Sequence, residues 1–186
     1  MQNPNWSTVT ENELWEYVAW HLSAKDIDSV LVGGAVVSIY SNGIYKSGDI
    51  DIVYTSYNSS IWETIQIVMK NLGFKKVTRH FVHPECNHLF VEYASPPLSI
   101  GEDYQIVPST KEVSGKTIKI LSPTDCIKDR LASYIYFNAR ECLEQALIVG
   151  KRQPFDLKEI KRWCDSEGGK AKPVFEEFKS LYKEIS

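Results

Sequence analysis

Two neighbouring stretches decide the fold: Ser29-Val30-Leu31-Val32-Gly33-Gly34, and Gly48-Asp49-Ile50-Asp51-Ile52-Val53-Tyr54. Ser29 to Val32 reads as a short buried strand running into two glycines. Ala35 to Tyr40 then reads as a short helix stopped by Asn42-Gly43. From Gly48 to Tyr54 polar and apolar residues alternate at period two, the pattern of a half-buried strand. Alternate side chains of a strand share a face, so Asp49 and Asp51 project together with Cα atoms roughly 7 Å apart. Ile50 and Ile52 point the other way, into a core. Two carboxylates so placed repel each other unless a cation sits between them. Oxygen-only ligation of that kind suits Mg²⁺ (or Mn²⁺), which keeps several waters and completes its shell with substrate phosphates. Upstream, Gly33 and Gly34 let the backbone approach a phosphate closely, and the helix start offers it unpaired N–H groups. Gly-Gly before a helix is common turn chemistry, and Asp-x-Asp is often only a solvated face. Meaning comes from their combination, because Asp is depleted in strands and two in one strand need a reason.

Around this unit the chain alternates helix and strand. Thr10 and Glu13 form a capping box, and Leu14, Val18 and Leu22 make one face of a helix reaching about Lys25. Residues 59–71 read as an amphipathic helix ended by Gly73, residues 74–79 and 88–94 as strands, and short strands are expected near 104–107 and 117–121. After Leu121 only helices are expected. Ser122-Pro123 starts one that runs to about Phe137, Asn138 to Glu141 suggests a capping box for a second, and two more cover 156–167 and the segment from Val174 to Ile185. The expected organisation is α/β (α+β): a mixed-sheet core with its N-terminal helix over 1–121, then a C-terminal helical region over 122–186.

Composition narrows the class. At 186 residues, 43% hydrophobic and 12% aromatic, the chain has material for a core without disulfide or metal staples. Its four cysteines are scattered with no C-x-x-C pair, as expected of free thiols in a reducing compartment. No apolar run reaches the roughly 20 residues of a membrane span, so a cytoplasmic protein without membrane contact is expected. The net charge of −3 divides into 9 Lys/Arg against 13 Asp/Glu before residue 122, and 12 against 11 after it. Neither part has the positive excess of a protein that holds nucleic acid by phosphate contacts alone.

The run Val32-Gly33-Gly34, a fourteen-residue spacer, then Asp49-Ile50-Asp51-Ile52 resembles the signature of the polymerase-β-like nucleotidyltransferase superfamily. The chain looks most like small bacterial members related to AbiEii-type toxins. That similarity extends to Ser122-Pro123-Thr124-Asp125-Cys126-Ile127-Lys128-Asp129-Arg130 and Glu144-Gln145-Ala146, so that it covers about residues 28–167. The resemblance implies a third carboxylate on a neighbouring strand, for which Glu92 in Leu89-Phe90-Val91-Glu92-Tyr93 is the match. It also implies roles. Asp49 and Asp51 bind Mg²⁺ or Mn²⁺, and Glu92 helps bind one ion and acts as base toward an acceptor hydroxyl. A nucleoside monophosphate moves from a nucleoside triphosphate to that hydroxyl, and pyrophosphate leaves. The acceptor remains open between an RNA or tRNA end, a protein and a small molecule. A cognate toxin or antitoxin is a further partner that the resemblance suggests. The rival is a catalytically degenerate binding protein of the same fold, such as an antitoxin.

A triphosphate also needs cations and donors. Lys46 and Ser47 stand just before the acidic strand, and Arg130 sits in the first tail helix beside Lys128. Because Arg130 directly follows Asp129, the two are expected to point different ways. His80, His83, Cys86 and His88 resemble a zinc-ligand set, but their spacing matches no familiar zinc site. Pro84 and Asn87 suggest a plain loop between strands, with acceptor contact as its other use.

Overall fold

The computed structural model describes residues 1–55 and 60–185. Its first helix, α1 (Glu11–Ser23), starts with the expected capping box: Thr10 Oγ1 accepts from the Glu13 amide at 3.3 Å, and Glu13 Oε2 accepts from the Thr10 amide at 2.8 Å. Then come β1 (Ser29–Val32), α2 (Gly34–Tyr40), β2 (Asp49–Tyr54) and α3 (Ile61–Asn71). Ser59, the first residue expected in α3, lies outside the described residues. The remaining strands are β3 (Lys75–Val77), β4 (His80–His83), β5 (Cys86–Ala94), β6 (Ser109–Val113) and β7 (Lys116–Ile120). Helices α4 (Pro123–Phe137), α5 (Glu141–Arg152), α6 (Leu157–Glu167) and α7 (Ala171–Ile185) complete the chain.

The strands form one mixed sheet in the order β3-β4-β5-β2-β1-β7-β6, with β2/β5 and β1/β7 parallel and the other pairs antiparallel. Period two decides its faces. Leu31, Ile50, Ile52, Val91, Ile118 and Ile120 are buried and point one way; α1 packs on β1, β2 and β7, and α3 packs on α1. Asp49, Asp51 and Glu92 stand on the opposite face and are only half-buried. The helices after residue 121 share the hydrophobic core: Leu121, Ile127, Leu131, Trp163 and Phe178 belong to the same cluster as Leu31 and Ile52. Two hydrogen bonds pin α2 to them. The Tyr40 hydroxyl donates to the Leu121 carbonyl at 2.7 Å, and Gln153 Nε2 donates to the Tyr40 carbonyl at 3.0 Å.

Three expectations are corrected. The 80–88 segment is not a plain loop: His80–His83 is a strand, paired antiparallel with β5, and Pro84-Glu85 is the tight turn between them. No strand forms at 104–107, where Tyr104 and Val107 are exposed. The strand β6 comes just after Pro108 and is joined to β7 through Ser114-Gly115, both at positive φ. Nor does Asn138 open a capping box. It closes α4 in a left-handed conformation at φ 55°, and Arg140 at the start of α5 makes no side-chain cap.

Candidate active site

Strand β1 delivers Gly33 and Gly34 to the point where β2 presents its acids, because Val32 pairs with Asp51. Gly33 has φ +75°, and a Cβ built there would overlap Asp51 Oδ2; only glycine leaves that carboxylate its place. At Gly34 a Cβ would stand 2.8 Å from the Ser47 hydroxyl and 3.4 Å from the Tyr45 hydroxyl. The glycine pair therefore admits Asp51 and the 45–47 turn against the start of α2. Ser47 is buried and donates to Asp49 Oδ1 at 2.6 Å, while its own amide donates to Glu11 Oε1 at 3.0 Å. Its hydroxyl, expected to face phosphate, is directed at Asp49.

On the other side β5 runs parallel to β2 with Asp51 opposite Glu92 and Asp49 opposite Phe90. In-register residues on adjacent strands point to the same face across about 4.8 Å, so the three carboxylates share one surface. Burial, then the charges of Asp49 and Glu92, pushes the Asp51 carboxyl up to about 7. Glu92 is not turned into open solvent: its Oε1 lies 2.9 Å from Arg79 Nε. Arg130 is also close enough to oppose the rise of Asp51. Yet Arg130 does not point away from Asp129, as its sequence position suggested. Its long side chain folds back so that Nη2 and Nε lie 2.5 and 3.1 Å from Asp129 Oδ2, and Nη1 donates to Gln145 Oε1 at 3.3 Å. Lys46 goes elsewhere. It is exposed and lines a groove with Thr10, Glu11, Asn42 and Lys111. Lys128 is fully buried among Asp103, Asp125 and Glu159.

The structure thus brings together Gly33, Gly34, Ser47, Asp49, Asp51, Glu92 and Arg130, and leaves Lys46 apart. Sequence reasoning assigned no site role to Glu11, Tyr45, Asp129, Gln145 or Arg79. Asp129 and Gln145 did lie in the stretches that carry the family resemblance, and Tyr45 stands two residues before Ser47; Glu11 and Arg79 left no signal. The four residues of the zinc-like set have other contacts. His83 stacks on Trp6 with ring centroids 3.7 Å apart, His88 Nε2 is 2.8 Å from the Val9 carbonyl, Cys86 Sγ donates to the Leu89 carbonyl, and His80 meets the Phe90 ring.

The donor set fits a hard divalent cation in type and charge: three carboxylates, one of them raised to a pKa of about 7 by burial and by its two acidic neighbours. Among the described residues, no group of three or more His, Cys, Asp or Glu is already closed around a metal position. Glu92 Oε1 is shared with the exposed Arg79, a pair of the kind that contributes about 0–1 kcal/mol and so would be readily given up to a cation.

No protein-family model matches the chain, and no curated protein matches it in sequence. Solved structures do. An antigenic nucleotidyltransferase-like protein from Paracoccidioides brasiliensis is similar with a TM-score of 0.59 at 16% identity, over 77% of this chain and 76% of that one. ANT(2")-Ia, solved with adenylyl-2"-tobramycin, gives 0.47 at 15% identity over 91% and 97%, and the lincosamide antibiotic adenylyltransferase LnuA 0.47 at 16% over 76% and 98%. At these identities the likeness is one of fold, carried by the first of them: the chain has a nucleotidyltransferase-like fold.

Proposed function

We propose, from that fold and from the acid face built on it, that the protein is a metal-dependent nucleotidyltransferase. It moves a nucleoside monophosphate from a nucleoside triphosphate to a hydroxyl acceptor. One observation carries the reading: Gly33, stripped of a side chain and held at φ +75°, makes room for an Asp51 carboxylate whose pKa is raised to about 7 by burial and by Asp49 and Glu92. Such a group is costly to hold in its charged form unless a cation neutralises it.

Asp49 and Asp51 would hold Mg²⁺ or Mn²⁺, with Glu92 joining once released from Arg79. Bound there, the ion would neutralise the triphosphate and the charge that develops on it. The protein's own part is positional. Gly33 and Gly34 bring main-chain N–H groups to the phosphates, Ser47 fixes Asp49 and Glu11 fixes Ser47. Arg130, steadied by Asp129 and Gln145, sets positive charge opposite the acids. Glu92 accepts the acceptor's proton as the hydroxyl oxygen bonds to the α-phosphorus and pyrophosphate departs. Lys46 would meet a phosphate tail only at the margin, from its groove.

An RNA or tRNA end, a protein hydroxyl and a small-molecule hydroxyl all remain candidate acceptors, and the AbiEii-type resemblance adds a cognate toxin or antitoxin as partner. The second reading, a degenerate binding protein of this fold, draws on the Glu92–Arg79 pair, which leaves the third acid occupied. The test is transfer of label from each α-labelled nucleoside triphosphate, with Mg²⁺ or Mn²⁺, to an RNA pool, to protein and to aminoglycoside and lincosamide panels. Pyrophosphate release is followed in parallel. Transfer by the wild type that falls at least 100-fold in Asp51→Asn and Glu92→Gln supports the enzyme. Nucleotide binding without turnover favours the binding protein.

A further inference from the structure

Ser47 stands between two carboxylates: its hydroxyl donates to Asp49 at 2.6 Å and its amide donates to Glu11 at 3.0 Å. At Glu11 two hollows meet. The larger, of about 610 Å³, is lined by Thr10, Glu11, Asn12, Asn42, Lys46 and Lys111, and so lies among the start of α1, the end of α2 and β6. The smaller, of about 220 Å³, shares Thr10, Glu11 and Lys46 and adds Ser47. Neither is lined by Asp49, Asp51 or Glu92, so the groove they form is separate from the acid face. Its size is that of a small-ligand cleft.

The polar groups of this groove have capacity left over. Glu11 is only 6% exposed, and the Ser47 amide engages one of its oxygens. A carboxylate has about four acceptor positions, and a buried one is costly while they stand empty. The first turn of α1 offsets part of that cost. Yet among the described residues neither Glu11 nor Lys46 enters an ion pair, and the Asn42 side-chain amide has no partner. Lys111 reaches the groove from β6 with Nζ 2.5 Å from Glu16 Oε1, the oxygen that also accepts from Asn12 Nδ2 at 2.7 Å. One ammonium and one amide are thereby held in place on the same wall. A ligand that is anionic throughout is repelled by Glu11, and a cation is repelled by the two lysines. Hydroxyls suit the carboxylate and the Asn amides, which both give and take hydrogen bonds. One compact anion of about −1.5 to −2 charge, such as a phosphate monoester, suits the two ammoniums.

We propose that this groove binds a sugar phosphate, with hydroxyls on Glu11, Asn12 and Asn42 and the phosphate at Lys46 and Lys111, and that its occupancy is felt at Asp49. A ligand hydroxyl on Glu11 competes with the Ser47 amide, and Ser47 carries the change to the carboxylate its own hydroxyl holds. The groove and the acid face are then coupled, and each ligand alters the affinity for the other by the same factor. The binding site stands without the nucleotidyl-transfer reading; the coupling rests on it.

Isothermal titration calorimetry on the full chain, first without metal or nucleotide, tests the site with glucose 6-phosphate, fructose 6-phosphate and ribose 5-phosphate against glucose and inorganic phosphate. A sugar phosphate should bind more tightly than glucose and than inorganic phosphate by about 10-fold or more. Glu11→Gln and Lys46→Gln should each weaken it about 10- to 100-fold, as the loss of a charged hydrogen bond does. Lys111→Gln should weaken it in the same direction. The two lysine variants are surface changes, so they decide the matter even if Glu11→Gln disturbs α1. Failure of all three sugar phosphates to bind, equal binding of inorganic phosphate, or binding indifferent to both lysine variants would overturn the site. The titration is then repeated with nucleoside triphosphate and Mg²⁺ present, where sugar-phosphate affinity should change about 5-fold or more. An unchanged affinity overturns the coupling, and mutual exclusion of the two ligands overturns the separate site. If triphosphate binds while the sugar phosphates fail, this site alone falls. If a sugar phosphate binds while no triphosphate does, the transferase reading and the coupling fall and the site stands.

Discussion

Two clusters of charge among the described residues, one buried around Lys128 and one half-buried around Asp51, are built in opposite ways. Around Lys128, three carboxylates (Asp103, Asp125 and Glu159) converge on one ammonium at 2.9–3.1 Å, and Arg162 adds a second cation to Asp103 and Glu159. Burial acts against the charge on Lys128, yet hydrogen bonds to Asp125 and Asp103 outweigh it and its pKa rises; that of Glu159 falls, chiefly through Arg162. Around Asp51 three carboxylates share one face, the Arg130 charge is already engaged by Asp129, and the Asp51 pKa goes up. Both clusters lean on α4, whose Lys128 and Arg130 leave the helix on different sides. A matched cluster is a clamp, here tying the 100–105 segment and α6 to α4. An unmatched one costs stability and keeps its place only where something outside the chain completes it.

The comparison breaks most visibly at the clamp. Lys128→Met removes the one ammonium that three acids share and should destabilise the fold by about 3–5 kcal/mol, read by urea unfolding. If the loss is under 1 kcal/mol, the clamp is not what holds α6. At the acid face, Gly33→Ala combines strain at φ +75° with overlap on Asp51 and should cost about 2 kcal/mol. A variant as stable as the wild type would mean Asp51 has room to move. Asp51→Asn should do the reverse of Lys128→Met and stabilise. With a folded pKa of about 7 against the ordinary 3.8, Asp51 contributes stability fully below about pH 4 and loses it as pH rises through 7. The full linkage, about 4 kcal/mol, is reduced to about 1–2 kcal/mol for a carboxylate that keeps some water. Metal-free wild type should therefore lose stability between pH 4 and 8 where Asp51→Asn does not; parallel curves for the two would remove the unmatched charge. Arg79→Gln, where an exposed arginine meets a half-buried carboxylate, should shift stability by no more than about 1 kcal/mol, and a larger loss would make that pair part of the fold.

What was legible in the sequence follows from which patterns are local. Period-two alternation places Asp49 and Asp51 on one face by backbone geometry alone, whereas Glu92 was marked by the third carboxylate that the family resemblance implies and by its standing as a lone charge in an apolar strand. Glu11 was not legible: a first-turn acid of α1 reaches the Ser47 amide only after the chain has folded across 36 residues. Nor was the return of Arg130 onto Asp129, since a long side chain has rotamers that adjacency does not exclude. The strand at His80–His83 was hidden by Pro84 and Asn87, which suggested a plain loop, although Phe81 and His83 alternate inward with His80 and Val82 half-exposed. Ser114-Gly115 did carry a hairpin signal between β6 and β7, but β6 is mostly polar, so hydrophobic patterning favoured residues 104–107 instead. The order of the sheet, which places β5 beside β2, is a long-range property that no single stretch encodes.

Thermal unfolding at pH 8 in the four nucleoside triphosphates, with and without Mg²⁺, on wild type and Asp51→Asn, tests the unmatched acid face most directly. At about 100 times its dissociation constant a ligand adds about 2.7 kcal/mol, or about 5–10 °C for a chain of this size. The acid face predicts a rise of that order that needs both Mg²⁺ and nucleotide and vanishes in Asp51→Asn. No rise with any nucleotide, or the same rise in Asp51→Asn, would contradict it.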